Sequence, residues 1–136
     1  MIEELAAFSK TANLSPTARE IAILATGARH STKFEMYAHA RIARTQTQLS
    51  ESQVKTLCEG KKPEGLDGQG SVAYDVAVEL VDKKGPLSNE MWDRGVGAFG
   101  GKEGMLALVQ YIGVYSFVSV YLNGCDVPIP EGEELL

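Results

Sequence analysis

Thiols are scarce in this sequence. Cys58 and Cys125 are its two cysteines, with no CxxC pair and no histidine or cysteine beside them at metal-ligand spacing. That argues against a disulfide scaffold and gives no metal site, and it leaves the pair as buried or incidental thiols of a reducing compartment. Basic clusters are missing too: the formal net charge is -5 and no Lys/Arg run occurs, so the surface lacks the stripe that neutralises phosphates, and no nucleic-acid partner is expected. The segment Met1 to Lys10 lacks the basic start and long apolar block of a secretory signal, which makes a cytoplasmic address the expectation. Convincing period-two alternation is absent as well. Val114 to Tyr121 is the best strand candidate, but it sits inside a longer uninterrupted apolar stretch that favours helix. No internal repeat and no low-complexity tract is present.

What is there reads as one ordered domain over residues 1–136. The chain is too short for two ordinary domains, and 44% apolar with 23% charged residues is a globular balance. The periodicity predicts an all-α bundle of about six to seven helices. Leu5, Phe8 and Ala12 mark a short first helix ending near Asn13. Ser15-Pro16 then caps and starts a helix from Pro16 to about Arg29. His30-Ser31-Thr32 makes a tight turn, and the next helix runs from about Lys33 to about Thr47. Ser50 with Gln53 forms a capping box for a brief helix through Cys58, which Gly60 terminates. Lys61 to Gly70, rich in Gly, Lys and Pro, reads as the one substantial loop. A helix from Ser71 to about Lys83 ends at Gly85-Pro86, a short one capped by Ser88 ends at Gly100-Gly101, and a long one runs from about Lys102 to Leu122. Within it, Met105 to Leu122 carries no formal charge over 18 residues. Its polar residues and tyrosines, and the lack of a flanking basic cluster, favour a core or subunit-interface helix over a membrane span.

Glu35 and His39 lie four apart on one helix face, with Thr32 three residues further back. Glu20 precedes the turn by about 10 residues and His39 follows it by about 8, roughly 15 Å and 12 Å at 1.5 Å per residue. An antiparallel pair of helices therefore sets Glu20 and His39 at similar heights. An imidazole beside carboxylates keeps a proton donor and acceptor poised near neutral pH. The alternative reading is a surface ion pair of little energetic consequence.

The run Leu14-Ser15, Arg19-Glu20-Ile21-Ala22-Ile23-Leu24, then Phe34-Glu35-Met36-Tyr37-Ala38-His39-Ala40-Arg41-Ile42-Ala43, resembles the signature of the carboxymuconolactone decarboxylase and alkylhydroperoxidase-D-like superfamily. Phe99-Gly100-Gly101, Tyr111-Ile112-Gly113-Val114-Tyr115 and Leu122-Asn123 before Val127-Pro128 are similar to its ending. The resemblance implies a compact alkylhydroperoxidase-D-like bundle that assembles as a homotrimer or homohexamer. In the thiol peroxidase branch a CxxC pair works with a glutamate and a histidine; here Thr32 and Glu35 hold the cysteine positions, so thiol chemistry is not expected. The decarboxylase branch resembles the chain better and implies a carboxy-lyase that needs no cofactor; no metal is expected either, because Glu35 and His39 could form half of a metal site but no further carboxylate or histidine is spaced to complete it. By that analogy His39 donates the proton, Glu35 and Glu20 orient the ring, and a small-molecule substrate is held by a cation. Arg29 is favoured for that cation over Lys33 and Arg41, with Thr32 and Tyr37 completing the substrate-binding set. Trp92, Phe99 and Tyr115 are further candidates for pocket walls, each against a plain packing role.

Overall fold

The computed structural model describes Glu3 and residues 13–136, so the expected helix through Leu5, Phe8 and Ala12 lies outside the described residues. Among those described, six helices and no strand form: α1 Pro16–Arg29, α2 Lys33–Gln46, α3 Glu51–Cys58, α4 Gly68–Lys83, α5 Asn89–Ala98 and α6 Lys102–Gly124.

Helix α1 is the axis of the bundle, packed by α2, α3, α4 and α6. Ser15 starts it by accepting from the Ala18 N–H at 3.0 Å, with Pro16 in the first turn. Its residues from Glu20 to Gly27 are all buried, the pattern of a helix enclosed on every side. A charged residue on such a helix requires a partner, and Glu20 is that residue. The chain then reverses within three residues. His30 N–H donates to Thr26 C=O, Ser31 adopts φ 53°, and Thr32 N–H donates to Gly27 C=O at 2.9 Å. Helix α2 returns along α1, and its Ala40 and Ala43, both fully buried, permit a close approach.

The capping box at Ser50 and Gln53 is formed in full. The loop expected to reach Gly70 is shorter, because Asp67 caps α4 by accepting from Gly70 N–H at 2.6 Å. Gly68, Gln69 and Gly70 therefore form a first helical turn. Gly70 serves packing: a Cβ there would come within 2.8 Å of Ile21 Cδ1, so the glycine lets the start of α4 press against α1.

Helix α6 continues through Gly124, and the stretch weighed as a strand is helical throughout. It buries Met105, Leu108, Tyr111, Ile112 and Ser119 and exposes Leu106, Phe117, Val120 and Tyr121. By length and composition it is apolar enough to cross a membrane, with a mean hydropathy of 1.7 over its most apolar window, and 33% of that window is buried. Asn123 ties its end to the α1–α2 turn by donating to His30 C=O at 2.6 Å. Tyr115 lies beside His39 while Asn123 meets His30, so α6 runs parallel to α1.

The start of α6 depends on one missing side chain. A Cβ on Gly104 would run into the Phe99 carbonyl and Phe99 Cβ, and Phe99 is itself buried. Gly104→Ala is expected to destabilise the fold by about 1–3 kcal/mol through overpacking, against a helix-propensity gain of up to ~1 kcal/mol. A urea midpoint that falls with an unchanged slope is the expected result. A midpoint that rises would show propensity winning and the contact to be unimportant.

Candidate active site

The α1–α2 hairpin and α6 bring three sequence-predicted residues together. His39 Nδ1 lies 2.8 Å from Glu20 Oε2, and its Nε2 lies 2.9 Å from Glu35 Oε1. Both ring nitrogens thus face a carboxylate oxygen, and carboxylates only accept. The arrangement holds the doubly protonated imidazolium, with Nδ1–H donating to Glu20 and Nε2–H to Glu35. Side-chain exposure is 2% at Glu20, 7% at Glu35 and 12% at His39, so this is a shielded triad and not a surface pair.

Burial disfavours a charged ring, but the hydrogen bonds to Glu20 and Glu35 and the charges of both outweigh it, and His39 is pushed up to about 9. Tyr115 packs edge-on against the ring, with centroids 5.0 Å apart at 81°. Its own hydroxyl is pushed up to about 12 by burial, then by Glu35 and Glu20, which leaves it a neutral hydrogen-bond donor.

The triad borders a cavity of about 320 Å³. Arg19, Glu20 and His39 form its charged wall, and Ile42, Tyr111 and Tyr115 contribute to the apolar remainder. Glu35 is not among the lining residues, so Glu20 presents the carboxylate that meets the cavity. A hollow of about 370 Å³ beside Lys33, Asn123 and Asp126 contains no part of the triad. Its size does not make it the site of proton chemistry, which needs titratable groups in mutual contact. Among the described residues no set of three acidic, histidine or cysteine side chains converges as a metal-binding group.

The expected substrate-binding residues sit elsewhere. Arg29, favoured as the anchoring cation, pairs with Asp82 at 3.5 Å and does not line the triad cavity. The sequence could not reveal that partner, which lies on another helix. Thr32 is 1% exposed at the start of α2, and its hydroxyl has no hydrogen-bond partner among the described residues. Tyr37 faces Arg41, whose guanidinium lies 5.4 Å from the ring centroid and 3.3 Å from its hydroxyl. Arg41 also lies 3.5 Å from Glu133. Phe99 is core, Trp92 packs beside the core, and Tyr115 lines the cavity.

Sequence reasoning found Glu20, His39 and Tyr115 on this wall and missed the rest, of which Arg19, Gln46 and Tyr111 carry polar groups. A usable signal existed for the arginine: Arg19 and Ile23 are four apart on α1, so a face that presents Ile23 also presents Arg19.

The cysteines take no part. Cys58 is on α3, partly buried, and Cys125 is exposed. Burial, partly opposed by Arg44, pushes the Cys58 thiol up to about 11, which makes it a poor nucleophile at neutral pH.

Fold and site together define an all-helical domain with a carboxylate–imidazolium–carboxylate triad on the wall of a cavity. The chain matches no protein-family model and no curated protein.

Proposed function

We propose that the protein is a cofactor-independent proton-transfer enzyme, a decarboxylase or related lyase acting on a small carboxylated or lactone-type metabolite. One observation carries this reading: a buried imidazolium gripped at both nitrogens by carboxylates, with its Glu20 side open to a cavity. A purely structural ion pair has no need of a cavity beside it, and a shielded acid that is protonated at neutral pH is what proton delivery to carbon requires.

In the proposed reaction the bond from substrate carbon to carboxylate breaks, and its electron pair enters a conjugated carbonyl or lactone to form an enolate. Carbon dioxide leaves. The enolate carbon then takes the proton shared by His39 Nδ1 and Glu20 Oε2, and solvent returns a proton to the ring. Glu35 holds Nε2 and fixes the ring against α2. The resemblance of the sequence to decarboxylases supports the same reaction class, and the high Cys58 value supports a thiol-independent one. Assembly into a homo-oligomer belongs to the same proposal, supported by the uncharged exposed face of α6 around Phe117, Val120 and Tyr121.

The test is turnover of a small lactone acid, followed as carbon dioxide release, in three proteins. Wild type and the Cys58→Ser/Cys125→Ser double variant are expected to be equally active, and His39→Asn to be inactive. Activity that disappears with the cysteines but survives in His39→Asn would assign the chemistry to the thiols.

A further inference from the structure

We propose that the triad cavity selects carboxylates carried on a flat apolar ring, and that Arg19 is the residue that binds the carboxylate. This rests on the proton-transfer reading of the same cavity and adds to it the class of molecule admitted.

The argument begins with Arg19. Arg19 lines the cavity, and its guanidinium approaches Glu20 Oε1 at 3.9 Å, beyond hydrogen-bond distance. A guanidinium carries five N–H donors in a fork that matches a carboxylate bidentately, and this one is not locked onto its neighbour. Its side chain is 29% exposed, so an entering anion can reach it without unfolding the wall.

The triad beside it carries one positive and two negative charges, a net -1 that attracts no anion. His39 is positive, and it is flanked by Glu20 and Glu35 at hydrogen-bond distance, which leaves Arg19 as the place where a substrate anion gains most.

Beyond these groups the wall is mostly apolar. Tyr111 and Tyr115 stand nearly parallel, at 14° with centroids 6.4 Å apart, Ile23, Ile42, Val114 and Val118 add branched aliphatic surface, and Gln46 is the one uncharged amide of the lining. Aromatic faces and branched aliphatic side chains favour a flat, poorly hydrated body over a sugar or a polyol. At about 320 Å³ the space lies near the small end of ligand pockets, which span roughly 300–1,000 Å³. That suits one or two rings and excludes a nucleotide with its phosphates.

With the carboxylate on Arg19, the ring body lies beside the Glu20–His39 pair, which follows Arg19 along the same wall. The carboxylate bound by Arg19 is stabilised in the ground state and stays in place. The bond that reacts belongs to another substituent of the ring body, within reach of Glu20.

Ligand-observed NMR titrations of the whole chain at pH 7 with benzoate, benzamide and acetate test this without turnover. Benzoate is expected to bind about tenfold or more tightly than benzamide, the range of a hydrogen bond to a charged group, and more tightly than acetate, which has the charge without the ring. Arg19→Gln is expected to abolish the preference for benzoate over benzamide, and Arg19→Lys to keep part of it. His39→Asn combined with Glu20→Gln and Glu35→Gln, which leaves no unpaired carboxylate beside Arg19, is expected to retain benzoate binding, which separates the binding claim from the proton-transfer claim. Equal affinity of wild type for benzoate and benzamide overturns the proposal whatever the variants do. So does an Arg19→Gln protein that still prefers benzoate, or acetate that binds as well as benzoate. Ring-acid binding together with a catalytically silent His39 would leave this inference standing and remove the lyase reading.

Discussion

Replacing His39 with alanine is expected to lower the unfolding free energy by about 3–5 kcal/mol, the cost of stranding a buried charge. Two carboxylates, 2% and 7% exposed, lose their partner at once. Arg19 lies too far from Glu20 Oε1 to replace it. Denaturant unfolding at pH 7 measures the loss. Adding Glu20→Gln and Glu35→Gln is expected to recover much of it, since amides tolerate burial where charges do not. A loss below ~1 kcal/mol would match an exposed ion pair and contradict the shielded triad.

The same interaction gives stability a defined pH dependence. A folded-state value of about 9 lies above the ordinary 6.5, so between those limits the folded protein holds a proton that the unfolded chain releases. The contribution of His39 is complete below about pH 6.5 and is lost as pH rises through 9, with a magnitude of about 3 kcal/mol. Stability should fall over that window in wild type and stay level in the His39→Ala protein carrying both glutamine substitutions.

The second large effect concerns turnover. His39→Asn and Glu20→Gln are each expected to reduce kcat by about 10²–10⁴-fold, the usual contribution of a positioned acid or base. The two losses should not add, because ring and carboxylate deliver one proton between them. Glu35→Gln should act by displacing the ring and cost less, since that carboxylate is absent from the cavity wall. A Glu20→Gln enzyme with unchanged kcat would show that the proton leaves by another route. Arg19→Gln should instead raise KM, a pattern that separates binding from proton transfer.

Much of the fold was legible because helix starts are written in short, local chemistry. Ser15-Pro16 and Ser50 with Gln53 announced their helices, and hydrogen bonds at both sites are formed as such residues dictate. The meeting of Glu20 and His39 was legible as a length argument that holds only if the two helices fold back antiparallel, as they do here, with the rise per residue setting the register. The start of α4 was illegible because its glycines mimic a loop, whereas Gly70 is there to make room for Ile21 and Asp67 supplies the cap. Arg29 misled for a related reason. Its partner Asp82 is 53 positions away (82 − 29) on α4, and nothing in local spacing reports a contact of that range. Arg19 was passed over because the signal for it runs through Ile23, four residues on, whose apolar side chain reads as core and not as cavity wall.

Nitrogen-15 NMR of the His39 ring across pH 5 to 11 probes that grip directly. The expected spectrum shows both ring nitrogens protonated through neutral pH, each N–H strongly deshielded by its carboxylate, with a single titration near pH 9. A ring that deprotonates near pH 6.5, or that is already neutral at pH 7, would contradict it.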